Sequence, residues 1–177
     1  MNRLSKGYIQ IYTGNGKGKT TAALGQAVRA AGNGLKIFIV MFMKDFPYGE
    51  LKSLQLLSQW IKLEQYGNDR FVFHKQVPNK NDLQAAKCGF QHARDAMLSE
   101  KYDLVILDEV CVAIYYSLLK MEDILSLVDE KPETVELILT GRYCPPELIE
   151  KTDLVTEMQE IKHYYQKGVV ARKGIES

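Results

Sequence analysis

Along the chain, short apolar runs alternate with longer stretches in which apolar residues recur every three or four positions. Six runs read as strands: residues 8–14 (YIQIYTG), 36–44 (KIFIVMFMK), 61–66 (IKLEQY), 103–110 (DLVILDEV), 135–141 (VELILTG) and 154–163 (LVTEMQEIKH). The second and fourth are nearly continuous in apolar residues, as strands covered on both faces are. Residues 19–32 (KTTAALGQAVRAAG) are alanine-rich and end at a glycine, the pattern of a helix and its stop. Over residues 82–100, Leu83, Ala86, Phe90, Ala93 and Met97 make one apolar helical stripe, with Asn81 the expected N-cap. Residues 121–130 (MEDILSLVDE) predict a further helix. This alternation predicts an α/β fold, a mostly parallel sheet with helices on both faces. No repeat, low-complexity tract or Pro/Gly-rich linker interrupts it, so residues 1–177 are expected to form a single domain.

Composition narrows the picture modestly. Lys+Arg (23) nearly balances Asp+Glu (22), so charge alone does not point to nucleic acid. Cys88, Cys111 and Cys144 are far apart and never in a CxxC, which argues against a disulfide framework or a zinc site and fits a reducing compartment. The start, MNRLSKG, shows no apolar leader, and the runs IFIVMFM and VCVAIYYSLL fall short of the roughly 20 residues of a membrane span. The expectation is a cytoplasmic protein with no membrane partner.

The chemistry is concentrated after the first strand, in TGNGKGKTT. A phosphate cradle needs a strand, a turn of inward-pointing backbone N–H groups and a helix N-terminus facing the same anion. Here Gly14, Asn15, Gly16, Lys17 and Gly18 supply the turn, and Lys19, Thr20 and Thr21 open the helix. Lys19 adds a full positive charge, and the Thr20 hydroxyl suits Mg²⁺. One position departs from G-x-x-x-x-G-K-[ST], because Thr13 stands where the first glycine is expected. The context predicts a P-loop NTPase-like (RecA-like) domain.

LVILDEV supplies the acidic partner: Asp108 or Glu109 at a strand end, to bind Mg²⁺ or orient a water. LTGR places Arg142 at the carboxyl edge of the same sheet, either as a phosphate clamp or as a solvated arginine. NKND at 79–82 imitates a guanine-reading motif, but it precedes the acidic strand and no D-x-x-G accompanies it, so it reads as helix-capping sequence. His74, His92 and His163 read as hydrogen-bonded structural histidines.

Together, GNGKGKTTAALG, LDE, LTGR and the tail KHYYQKGVVARKGIE resemble the P-loop type of ATP:corrinoid adenosyltransferase over about residues 7–176. The tail is the most specific part: His163, Gly168 and then ARKGIE are not general P-loop features. The resemblance implies transfer of the 5′-deoxyadenosyl group of ATP to the Co(I) of a reduced corrinoid, with release of triphosphate, in adenosylcobalamin biosynthesis or salvage. It implies ATP lying reversed in the loop, triphosphate held from Asn15 to Thr21, catalytic roles for Lys19 and Glu109, and a metal near Thr20 and Glu109. Arg29 matches a nucleotide contact. Phe71 and Phe73 in YGNDRFVFHKQ match the aromatic pair that displaces the lower axial ligand of cobalt, with Phe in place of Trp; the same two residues also read as inward positions of a strand. The resemblance further implies an electron donor such as a flavoprotein and a homodimer. No D-x-H-x-x-G is present, which suits an enzyme that modifies a corrinoid without keeping it. The alternative reading is a P-loop ATPase or kinase acting on the γ-phosphate.

Overall fold

The computed structural model describes residues 4–45, 48–68 and 77–176. Its frame is one sheet of six strands: β1 (Ile9–Thr13), β2 (Ile37–Phe42), β3 (Ile61–Tyr66), β4 (Leu104–Asp108), β5 (Glu136–Thr140) and β6 (Leu154–Glu157). Their order is β3-β2-β4-β5-β1-β6, and every pairing is parallel. β1 therefore runs near one edge, flanked by β5 and β6, with Ile11 beside both Leu139 and Val155.

Side-chain alternation sends each central strand into two cores. Ile37, Ile39 and Met41 of β2 pack with Ile106 of β4 and Ile138 of β5 against α1 (Lys19–Gly32) and α2 (Gly49–Gln55), through Ala23, Ala27 and Leu54. The intervening Phe38, Val40 and Phe42 face the other way, with Val105, Leu107 and Leu139, toward α3 (Lys80–Leu98), α4 (Val110–Tyr115) and α5 (Met121–Asp129). Helices thus cover both faces of a parallel sheet, as the apolar runs predict. A short α6 (Pro146–Glu150) and a 3₁₀ turn (Tyr164–Lys167) complete the chain. Among the described residues no helix is long and apolar enough to cross a membrane.

Four local expectations change. α3 is capped by Asn79, two residues before Asn81: the Asn79 side chain accepts from the N–H groups of Asn81 and Asp82, while the Asp82 carboxylate accepts from the Asn79 N–H. That reciprocal pair satisfies two end donors at once, so the helix starts at Lys80. Leu83, in the first turn, is 41% exposed, and the inward face is carried by Ala86, Ala93, Ala96 and Met97. β4 stops at Asp108 because Glu109 turns left-handed (φ 63°) and Val110 already begins α4. β6 ends at Glu157, where Met158 leaves the sheet: its N–H donates to the Thr13 carbonyl and its own carbonyl accepts from the Gly16 N–H.

Candidate active site

The loop 14–18 is held by its neighbours before any ligand is considered. Thr13, the residue in the first motif position, donates its hydroxyl to the Gly141 carbonyl at 2.9 Å and so ties the start of the loop to the end of β5. Gly14 is at φ 92°, and a Cβ there would lie 2.4 Å from the Met158 carbonyl oxygen, so glycine is required by both conformation and space. α1 then begins without a side-chain cap and without an acid in its first turn, leaving a bare positive helix end.

That helix end opens into a cavity of about 770 Å³ lined by Gly16–Thr21 of the loop and by Lys44, Glu109 and Arg142 from the carboxyl ends of β2, β4 and β5. Lys19 is buried, and its ammonium donates to the carbonyls of Gly14 and Gly16, both at 2.7 Å. Burial, with Arg142 adding to it, pulls the Lys19 pKa below its ordinary value against the opposing pull of Glu109 and Asp108. Asp108 is 1% exposed and fully engaged: Thr20 and Thr140 donate hydroxyls to its Oδ1 at 2.9 and 2.7 Å, and Lys44 donates to its Oδ2 at 2.6 Å. Burial works against the Lys44 ammonium, but Asp108, with Glu109 and Glu50 behind it, more than offsets this and raises its pKa.

Glu109 differs from its neighbour. Its N–H donates to the Thr140 hydroxyl, fixing the left-handed turn, while its carboxylate lines the cavity. Burial first, then the Asp108 charge, raises its pKa, partly countered by Lys44, Lys19 and Arg142. The site therefore sorts two adjacent acids: Asp108 organises the hydroxyls and Lys44, and Glu109 presents oxygen to the cavity.

The start of α2, with Tyr48, Gly49, Glu50 and Ser53, forms one further wall, and the C-terminal segment another. His163, Gly174, Ile175 and Glu176 line the cavity, and Lys17 donates to the Ile175 carbonyl at 3.0 Å and to Glu176 at 3.4 Å. Glu176 also accepts from Arg172 and from the Tyr164 hydroxyl, which hold its carboxyl far below the usual range, and the Arg172 guanidinium lies 4.9 Å from the centre of the Tyr164 ring.

A sequence profile described as ATP:corrinoid adenosyltransferase BtuR/CobO/CobP matches residues 5–177. The chain belongs to this family. It is 36% identical over 172 residues to the corrinoid adenosyltransferase of Escherichia coli K12, covering 97% of this chain and 86% of that protein. The corrinoid adenosyltransferase CobA of Salmonella typhimurium is 34% identical with the same coverages, and that of Pseudomonas aeruginosa 30% identical, covering 98% of this chain and 85% of that protein.

In this family member the structure brings Gly16, Lys17, Gly18, Lys19, Thr20, Thr21, Glu109 and Arg142 to one cavity, with Asp108 buried behind it. Gly14, half-buried, and Asn15, exposed, both lie outside the lining. Arg29 is not brought there. Ten positions after Lys19, it sits about 15 Å farther along α1, where it lines a separate cavity with Leu35, Leu104 and Glu136 at the amino ends of the strands. Phe71, Phe73 and His74 lie outside the described residues. Lys44, Thr140 and Glu176 were not singled out by the motifs. The only signal for Lys44 was a lysine ending an apolar strand, and for Glu176 its place in the tail segment.

Proposed function

We propose that this chain transfers the 5′-deoxyadenosyl group of ATP to the Co(I) of a reduced corrinoid, releasing triphosphate, in adenosylcobalamin biosynthesis or salvage. The observation that carries the reading is the family match over residues 5–177. The site supports it: the cavity holds cationic groups for a polyphosphate, while no serine or cysteine hydrogen-bonded to a histidine lines it among the described residues. That suits a reaction in which the substrate's own cobalt is the nucleophile.

In the transfer, the Co(I) electron pair forms the bond to C5′ as the C5′–O bond breaks and its electrons leave with triphosphate. The chain's work is to hold the two substrates in line and to stabilise the charge that gathers on the leaving group. The α1 N-terminus, Lys19 and Arg142 surround that charge, and Lys44 holds Asp108 and Thr20 in place. Glu109 and Thr20 fit Mg²⁺, because both present hard oxygen to the cavity and no protein donor binds the Glu109 carboxylate among the described residues. When bound there, Mg²⁺ supplies further charge neutralisation to the triphosphate.

Phe71 and Phe73 complete the proposal as side chains against the lower face of the corrinoid, where removing an axial ligand makes Co(II) easier to reduce. We assign the electron to a separate donor such as a flavoprotein and the working unit to a homodimer. The test is anaerobic incubation of the protein with Mg-ATP and a chemically reduced corrinoid. A light-sensitive cobalt–carbon product that requires both substrates supports the reading. ATP consumption at the same rate without corrinoid overturns it.

A further inference from the structure

The phosphate loop is gripped by acceptors of the chain itself where the proposed reaction needs a polyanion. Its Gly16 N–H donates to the Met158 carbonyl at 2.6 Å, and a Cβ on Gly16 would lie 2.8 Å from the carbonyl oxygens of both Met158 and Gln159. The Lys17 ammonium donates to the Ile175 carbonyl at 3.0 Å and to Oε1 of Glu176 at 3.4 Å. The chain after β6 thus engages a backbone donor and a cation of the loop, and Glu176 is the carboxylate that it brings to the cavity.

This joint has one weak link. Within the segment, Glu176 accepts from the Arg172 N–H at 2.8 Å, from the Arg172 guanidinium at 3.0 Å and from the Tyr164 hydroxyl. Its contact with Lys17, at 3.4 Å, is longer than these, and the Lys17 side chain is 43% exposed. When Lys17 lets go, Glu176 keeps Arg172 and the lysine passes to a phosphate oxygen, so neither charge is stranded.

We propose that Glu176 is an internal anion that competes with triphosphate for Lys17, so that the C-terminal segment, closing on the loop, drives release of the product. The proposed transfer leaves the whole triphosphate among Lys17, Lys19, Arg142 and a bare helix end, where attraction holds it back. Product release of this kind sets the turnover of many enzymes. Triphosphate carries several charges to the one on Glu176, so it takes Lys17 while it is fully seated. As it starts to leave, the tethered carboxylate acts at an effective concentration on the order of millimolar and occupies the lysine before triphosphate returns.

This inference rests on the adenosyl-transfer reading of the cavity, and its test separates the two. Inorganic triphosphate with Mg²⁺ is titrated into the intact protein and into Glu176→Gln, which keeps the side chain's length and loses its charge. The variant is expected to bind triphosphate about fivefold more tightly and to release it more slowly, because the tethered competitor is gone. Damage to the fold would loosen binding instead. In the unaltered protein, triphosphate is expected to free the segment, so that trypsin cuts at Lys167, Arg172 and Lys173 faster with it than without. Equal or weaker triphosphate affinity in Glu176→Gln overturns the proposal, as does triphosphate that leaves cleavage unchanged or slows it. An unaltered protein that binds Mg-ATP but no triphosphate overturns the reading of triphosphate as the leaving group, and the proposal with it.

Discussion

The Lys44 ammonium lies 2.6 Å from Oδ2 of Asp108 and 3.4 Å from the Thr20 hydroxyl, joining the end of β2 to the acid that ends β4 and to the helix behind the phosphate loop. Both partners are largely buried, with side chains 14% and 1% exposed, so this is an ion pair that water does not screen. Removing one partner leaves the other charge stranded, which costs about 3–5 kcal/mol in buried pairs. Lys44→Met is therefore expected to destabilise the fold by about 3 kcal/mol in urea unfolding. Asp108→Asn combined with Lys44→Met is expected to recover part of that loss. Additive losses in the double variant would remove the pair from the account.

Glu109 gives the site a pH signature. Its pKa is raised by burial and by Asp108, so the folded chain holds the proton more tightly than the unfolded one. The sign follows directly: this residue's contribution to stability falls as pH rises from the ordinary carboxylate range through its raised value. Glu109→Gln is expected to flatten that slope in thermal melts. Under the proposed role of its carboxylate toward Mg²⁺, the same variant should lose on the order of 100-fold in kcat, and the acidic limb of the unaltered enzyme's pH profile should lie above the ordinary glutamate pKa. A melt-derived slope unchanged in Glu109→Gln would contradict the assignment.

Much of this was legible in the chain, and what was not has a physical reason. β2 and β4 are buried on both faces, and such strands announce themselves as unbroken apolar runs. The phosphate loop was legible because cradle, cation and hydroxyl must be contiguous. Lys44 was not, since its partner Asp108 is 64 residues away and no local spacing records the contact. The break after Asp108 was also hidden, because Glu109 enters the left-handed region through its bond to Thr140, a residue of another strand. Asn79 and Asn81 both suit a cap locally; the reciprocal bond with Asp82 decides between them. The far half of the run at 154–163 continues as apolar–polar sequence, yet Met158 is diverted by the loop it binds.

The tail should be separable from the fold. Glu176 gathers Arg172, Tyr164 and Lys17, so Glu176→Ala releases the segment from the phosphate loop. Trypsin should then cut at Lys167, Arg172 and Lys173 at least several-fold faster, with little change in the unfolding midpoint. Unaltered cleavage would mean that the contacts do not hold the tail down.

Phe73→Ala tests the proposed corrinoid face. It should slow reaction from Co(II) more than reaction from cobalt already reduced to Co(I), because only the first needs the lower ligand removed. Equal losses in the two assays would contradict that role.

The central claim is that the loop grips a leaving group instead of a transferred phosphate, and the phosphorus products test it most directly. Under anaerobic conditions with Mg-ATP and pre-reduced corrinoid, the ³¹P spectrum should show intact triphosphate accumulating one for one with the adenosylated corrinoid. ADP with inorganic phosphate, formed whether or not corrinoid is present, would contradict the account.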